Sequence, residues 1–169
     1  MNQSITIKAL ASNAATFKAM FSDVPKEMYL WKPAPDKWCL LEIACHLFDE
    51  EREDFRARVK DTLLTPEKSW PSIDPLKWVV ERKYMEQDYE SKIVAFLNEH
   101  ADSIRWLESL VNPNWNNSHT HPKVGPVKAE LLLVNWLAHD YLHFRQITRT
   151  KYLYLQAHAG VPRDYAGTW

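Results

Sequence analysis

The sequence predicts an all-α fold, read as an antiparallel bundle of long helices, from its composition and from the spacing of its apolar residues. The chain has 169 residues, of which 46% are apolar, so it can bury a sizeable core. Three glycines against ten prolines and eight tryptophans indicate long elements with stiff connections. Apolar residues recur every three or four positions, the period of a helix buried on one face. We expect residues 1–169 to form a single domain.

The charges of the chain nearly cancel, with 21 Lys and Arg against 22 Asp and Glu. Such a balance predicts neither a nucleic-acid partner nor an anionic membrane surface as partner. No apolar run has the length of a signal peptide or a membrane span. Cys39 and Cys45 would lie about 120° apart on one helix, so they cannot bridge each other there, and we expect reduced thiols. We therefore expect a cytoplasmic protein.

The N-terminal part of the chain predicts a first helix over residues 4–20, with Ser4 as its cap. The following segment, Trp31-Lys-Pro-Ala-Pro-Asp-Lys-Trp38, cannot be helical because of its prolines, and its tryptophans need a surface to pack on. We expect an ordered loop pinned to the bundle. A second amphipathic helix is predicted from residue 40 to about 59.

The middle of the chain predicts a third helix that starts with Asp74 as cap and Pro75 at its first position. Its apolar pattern is interrupted at Asn98 and resumes as far as residue 112, so it forms one kinked helix or two. Residues 114–126 have the polar composition of a loop, and its His119 and His121 could ligate metal but have no preset geometry.

The last predicted helix covers residues 127–157, about 45 Å, which is the length of a bundle spine. Beyond Gly160 the tail, with Pro162 and Trp169, is expected to be coil packed on the surface or on a neighbouring subunit.

His139 and His143 are four residues apart in this last helix, so their imidazoles project from one face, one turn apart. This pair is a ready metal chelate. The alternative is a hydrogen-bonded pair in the core, which is the commoner role of such spacing. Gln146 follows His143 by three residues and could orient an imidazole or a bound water, or could only satisfy a buried polar neighbour.

His46 on the second helix would add a third ligand, the number found in catalytic zinc or nickel sites with one open position. It lies nearly opposite the apolar stripe, with Glu42, Asp49, Glu50 and Glu53, so the alternative is a solvated acidic face with one surface histidine. Glu50, one turn beyond His46, could be a general base or could orient a ligand. A solvated glutamate is the alternative.

Other catalytic motifs are missing from the sequence: it has no G-x-S-x-G, glycine-rich phosphate loop, H-E-x-x-H or C-x-x-C. Four arginines could clamp an anionic substrate, but ion pairing on solvated helix faces is the commoner role. They are Arg52, Arg56, Arg145 and Arg149.

These residues together resemble the DinB-like superfamily, which includes the YfiT-type metal-dependent hydrolases. The Trp31–Trp38 segment with His46 and Glu50 is similar to the family's Trp/Pro loop and first metal histidine. The segment from His139 to Ile147 is similar to its second motif. Where many members have serine after the loop tryptophan, this chain has Cys39, which weakens the usual helix cap.

The resemblance implies a four-helix bundle, commonly a homodimer, whose divalent metal is held by His46, His139 and His143. It implies an enzyme that activates water or a low-molecular-weight thiol, for hydrolysis or for thiol transfer to a small-molecule substrate. The alternative is a non-catalytic, stress-related binding or dimerisation bundle with a structural or vacant metal site. At the reference histidine pKa near 6.5, metal affinity is expected to fall below about pH 6.

Overall fold

Four long helices form the body of the protein, and the computed structural model describes residues 2–167. The first long helix is α1 (Gln3–Phe21), and a short helix α2 (Lys26–Tyr29) follows it. The second is composite: α3 (Leu40–Glu50) continues through one π-helical turn (Glu51–Phe55) into α4 (Arg56–Leu64). The other two long helices are α6 (Tyr89–Ser109) and α7 (Ala129–His158). The predicted all-α four-helix bundle is confirmed.

The N-terminal cap of α1 differs from the prediction, whereas that of the helix after Asp74 agrees with it. The Asn2 side chain accepts a hydrogen bond from the Ser4 backbone N–H at 2.9 Å, so Asn2 and not Ser4 caps α1. Asp74 caps α5 (Pro75–Glu81) as predicted, accepting from the Lys77 N–H at 3.1 Å. Helix α3 begins directly after Cys39, whose backbone N–H donates to the Glu42 carboxylate at 2.9 Å.

The break in the third predicted helix lies earlier than the sequence suggested. Helix α5 ends at Glu81, Lys83 takes a left-handed conformation (φ 49°), and a 3₁₀ turn (Tyr84–Glu86) follows. Asp88 then caps α6, which runs through Asn98 without interruption. A cap and a left-handed residue therefore separate the two helices, whereas a polar residue inside the helix does not.

Neighbouring helices run in both directions. Gln3 donates to Glu130 and the rings of Phe17 and Phe144 lie 4.4 Å apart, so α1 and α7 run side by side in the same direction. His46 lies beside His139 and Phe55 beside Trp136, so α3–α4 runs antiparallel to α7. The long connection over residues 65–88, which contains α5, joins α4 to α6.

The core consists of two apolar clusters along the bundle. One surrounds Phe17, Phe21 and Phe96, and the other surrounds Leu10, Leu133 and Trp136. The loop that precedes α3 is pinned to the bundle as expected. The Trp31 ring lies 5.6 Å from that of Tyr154 on α7, and the Trp38 ring lies 4.7 Å from the His46 ring.

A small β-hairpin occupies the segment that was expected to be a loop. Strands β1 (Ser118–His121) and β2 (Gly125–Lys128) pair antiparallel, with Ser118 opposite Lys128. Each strand has four residues, too few for an alternating pattern to be recognised in sequence. The hairpin leads into α7.

The tail after α7 contains a 3₁₀ turn (Asp164–Ala166) and a fully exposed Tyr165, while Trp169 lies outside the described residues. Within the part of the chain described, no helix is long and apolar enough to cross a membrane.

Candidate metal centre

His46, His139 and His143, here called the histidine triad, converge between α3 and α7. The Nε2 atom of His139 lies 3.4 Å from that of His46 and 3.0 Å from that of His143. One ligand atom from each ring lies within 4.8 Å of the others, and no further such group of His, Cys, Asp and Glu occurs among residues 2–167. The structure therefore brings together all three residues that the sequence selected as ligands.

The two Nε2 distances from His139 fit ligands that share one ion. Metal–nitrogen bonds of about 2.0–2.1 Å place two ligand nitrogens about 3.0 Å apart at right angles and about 3.4 Å apart at tetrahedral angles. Neutral imidazoles direct nitrogen lone pairs, or one shared proton, into the space between the three rings. These lone pairs repel one another, and a cation bound between them relieves the repulsion. The buried Nδ1 atoms of His46 and His143 have no hydrogen-bond partner within the described structure. The donor set therefore suits zinc or nickel.

Burial keeps these imidazoles neutral. Desolvation, assisted by His143, lowers the pKa of His46 to about 3, and desolvation assisted by both other rings lowers that of His139 to about 2. The pKa of His143 falls to about 4, mainly through burial, and nearby Gln146 opposes part of this shift. Near neutral pH all three nitrogens are free to ligate, because ligation requires the unprotonated ring.

Three of the four acidic residues that share a face with His46 are buried. Glu42 and Asp49 are 1% and 5% exposed, and both have partners: Glu42 binds Lys32 at 2.6 Å, and Asp49 accepts from the Tyr84 hydroxyl at 2.5 Å. The alternative of a solvated acidic face with a surface histidine is therefore wrong. The sequence could not reveal the burial of Asp49, because its partner Tyr84 lies 35 positions away in the segment between α5 and α6.

Glu50 is also buried, at 4% exposure, and so the expectation of a solvated glutamate is wrong for it as well. Desolvation, together with the Asp54 carboxyl group, raises the pKa of Glu50 to about 8. Burial raises the pKa of Asp54 too, although Arg58 pairs with it at 2.6 Å. One oxygen of Glu50 has no hydrogen-bond partner among the described residues. Glu50 can thus hold or release a proton near neutral pH.

A second buried polar group was not anticipated from the sequence. The Glu51 carboxylate accepts from Trp136 Nε1 and pairs with His100 Nδ1, both at 3.2 Å, while His100 Nε2 donates to the Leu10 carbonyl at 2.9 Å. Burial lowers the pKa of His100, but the bonds to Glu51 and Leu10 outweigh it and raise the pKa to about 9. His100 follows Phe96 by four residues, which is about one helical turn. From the sequence, this spacing could have predicted that His100 lies on the buried face of the helix.

Three other residues that the sequence singled out, His119, Cys39 and Cys45, lie outside the histidine triad. His119 stacks on Trp70 with ring centroids 4.1 Å apart and its Nδ1 donates to the Pro66 carbonyl, so it does not join the histidine triad. Cys39 and Cys45 are buried free thiols, and burial raises the pKa of Cys45 to about 12. Neither thiol is activated as a nucleophile.

Comparison with known proteins identifies the family. The DinB superfamily matches residues 9–147 of the chain. The chain belongs to this superfamily. No curated protein sequence matches it.

Among solved structures, the DinB-superfamily chain described here is similar to YfiT from Bacillus subtilis. The two share 17% sequence identity with a TM-score of 0.77, over 88% of this chain and 85% of that chain. YfiT is described as a probable metal-dependent hydrolase with an unusual four-helix bundle topology. At this identity the likeness shows the fold alone.

A pocket of about 620 Å³ opens beside the histidine triad on the outer face of α7. Its lining residues are Leu142, His143, Arg145, Gln146 and Arg149. His143 belongs both to the histidine triad and to this lining, so the pocket borders the triad.

Proposed function

We propose that this protein is a metal-dependent enzyme in which the histidine triad binds one divalent ion, zinc or nickel, for chemistry on a small-molecule substrate. The observation that carries the proposal is the convergence of three neutral imidazoles, with Nε2 of His139 lying 3.4 Å from that of His46 and 3.0 Å from that of His143 and all three ligand atoms within 4.8 Å of one another. The description of YfiT as a probable metal-dependent hydrolase supports it. A bound ion would lower the pKa of a water molecule, or hold a low-molecular-weight thiol as thiolate, and so provide a nucleophile.

The residues of the chain would supply positioning and proton transfer. Glu50, one turn after His46 and buried beside Asp54, is proposed as the general base, because a pKa raised towards neutrality suits a group that accepts and returns a proton. Gln146, which lines the pocket next to His143, would orient the substrate or a ligand ring. Hydrolysis and thiol transfer differ only in the nucleophile that enters the pocket, so both belong to the proposal.

The first test is the metal content of the purified protein, measured by elemental analysis. We expect about one zinc or nickel per chain, and its loss in the H46A/H139A/H143A variant. The matched control is H119A/H121A, which removes two histidines of the hairpin and should leave the metal content unchanged. Equal metal content in the parent and the triple variant would contradict the site, provided that circular dichroism shows both to be folded.

The second test separates an enzyme from a non-catalytic bundle. Metal-loaded protein is screened for hydrolysis of small esters and amides, and for transfer of several low-molecular-weight thiols to electrophiles. Turnover that the E50Q variant loses while keeping its metal supports the proposed general base. Bound metal without turnover in any of these reactions would favour the non-catalytic alternative. The proposal also includes a single domain and a homodimer. Light scattering of the protein as it elutes from a size-exclusion column tests the homodimer.

A further inference from the structure

The pocket beside His143 carries two positive charges. Arg145 and Arg149 are exposed, lie one turn apart on α7 and line the pocket together with Gln146 and the half-exposed Leu142. At about 100° per residue, Gln146 projects between His143 and Arg149. Along the helix axis the two arginines lie about 3 and 9 Å beyond His143. The two charges therefore line the same pocket as His143, one member of the histidine triad.

These two arginines differ from the arginines of the other long helices, which have carboxylate partners. Arg56 binds Glu99 at 2.5 Å, Arg58 binds Asp54 at 2.6 Å, and Arg105 pairs with Asp102. Arg145 and Arg149 make no ion pair with any residue of the described range 2–167. The sequence gives the reason, since no Asp or Glu occurs between Asp140 and Asp164. The expectation that they would be ordinary ion-pair partners is therefore wrong.

The helix dipole does not explain the positions of Arg145 and Arg149 in α7. Cations stabilise a helix when they lie within its last turn, near the free carbonyl groups. Helix α7 ends at His158, so Arg145 lies more than three turns and Arg149 more than two turns before that end. Two guanidinium groups without ion pairs, in mid-helix and in a pocket that the metal-ligand candidate His143 also lines, therefore do not serve to stabilise the helix end.

We propose that Arg145 and Arg149 bind an anionic group of the substrate, a carboxylate or a phosphate, while its reacting part lies at His143. This inference rests on the proposed function and specifies the substrate class of the same site. A guanidinium group presents two parallel N–H donors that match either anion. Leu142 offers apolar contact to the carbon chain between the anion and the reacting group. No covalent step at the arginines is involved.

The test measures anion binding directly, in protein with and without metal. Malonate and inorganic phosphate are titrated by calorimetry into the parent, the R145Q/R149Q variant and the K8Q/K60Q variant. Lys8 and Lys60 are exposed on α1 and α4, so the second variant loses the same charge away from the pocket. Uncharged malonamide is titrated as a ligand of matched shape. Metal content is measured for every sample.

We expect R145Q/R149Q to bind the preferred anion at least about tenfold more weakly than the parent, because both charge-assisted forks are lost. K8Q/K60Q should bind within about twofold of the parent, and malonamide should not bind measurably. The tighter of the two anions identifies carboxylate or phosphate as the recognised group.

Equal anion affinity in the parent and R145Q/R149Q, or an equal loss in K8Q/K60Q, would overturn the inference. The two proposals fail separately. Arginine-dependent anion binding in a protein that holds no metal would support this inference and reject the proposed function. Normal metal content with anion binding that does not depend on the arginines would support the proposed function and reject this inference.

Discussion

At the scale of single residues, the environment of Glu50 differs strongly from that of an ordinary surface glutamate. It is buried beside Asp54, a second carboxyl group, and only Arg58 beyond it supplies positive charge to the pair. Burying a carboxylate without a direct cation destabilises the fold whenever the group is ionised. Groups kept in such positions are frequently functional, because activity and stability make opposite demands.

Replacing Glu50 by glutamine should therefore stabilise the metal-free protein. The folded-state pKa of about 8 exceeds the unfolded value of 4.5, so ionisation of Glu50 lowers the free energy of unfolding as pH rises through this window. We expect E50Q to gain about 2 kcal/mol over the parent at pH 8 and much less at pH 5. Urea unfolding at both pH values, in the presence of chelator, measures the difference.

The matched control is E53Q, three residues along the same helix. The hydrogen bond with Arg82 lowers the pKa of Glu53, so its ionised form stabilises the fold above its unfolded pKa. We expect E53Q to show no gain at pH 8. A parent protein more stable than E50Q at pH 8 would show that Glu50 is not held in an unfavourable ionised state.

The histidine triad could be predicted from the sequence because helical geometry alone puts His139 and His143 on one face. The environment of Glu50 and the pair of Glu51 with His100 could not be predicted from the sequence. The pairing of Glu51 depends on contacts between residues separated by 49 positions or more, with His100 and with Trp136. A helical projection of residues 40–59 shows an acidic face, but not that other helices cover it.

At the scale of elements, the π-helical turn within the second long helix and the β-hairpin are the features that the sequence did not predict. The π turn (Glu51–Phe55) shifts the register between α3 and α4, and Glu51 at its start points into the core. No propensity rule identifies a single π turn. The hairpin is held by tertiary contacts, since Trp70 from the preceding connection stacks on His119 and lies under Arg58.

Replacing Trp70 by alanine should destabilise the hairpin without affecting the metal. The substitution removes the stack on His119 and the cation–π contact with Arg58, and we expect a loss of about 2 kcal/mol in the free energy of unfolding. Metal content should equal that of the parent, because the histidine triad lies on α3 and α7. Loss of metal in folded W70A would show that the hairpin histidines take part in binding.

At the scale of the whole molecule, we expect the protein to fold without a bound metal. The two apolar clusters bury large side chains of all four long helices, including Phe17, Phe96 and Leu133. A domain of this size has enough core to fold without metal, unlike a zinc finger. A bound ion adds stability only because it binds the folded arrangement better than the unfolded chain.

Metal should therefore raise the thermal stability, and the pH range of this effect depends on the folded-state pKa values. Excess metal is expected to add roughly 3 to 4 kcal/mol at a hundred to a thousand times Kd. With an ordinary histidine pKa of 6.5, protons would compete with the metal below about pH 6. Burial lowers the three pKa values to about 4 or below, so the folded metal-free protein keeps its imidazoles neutral at pH 5.5.

We consequently expect the metal-dependent increment to be nearly the same at pH 7.5 and pH 5.5, and to fade only as pH falls towards 4. In the metal-free protein the triad affects stability in a separate way. Its folded pKa values lie below the unfolded value, so its contribution to the free energy of unfolding falls as pH drops through 6.5. Subtracting the metal-free unfolding curve from the metal-loaded curve at each pH removes this background, together with the opposite contribution of Glu50.

The H46A/H139A/H143A variant should show no metal-dependent increment at either pH. An increment that has largely disappeared in the parent at pH 5.5 would mean that the triad titrates like exposed histidines. Complete unfolding of the parent by chelator at pH 7.5 would instead make the metal a requirement for the fold, contrary to the size of its core.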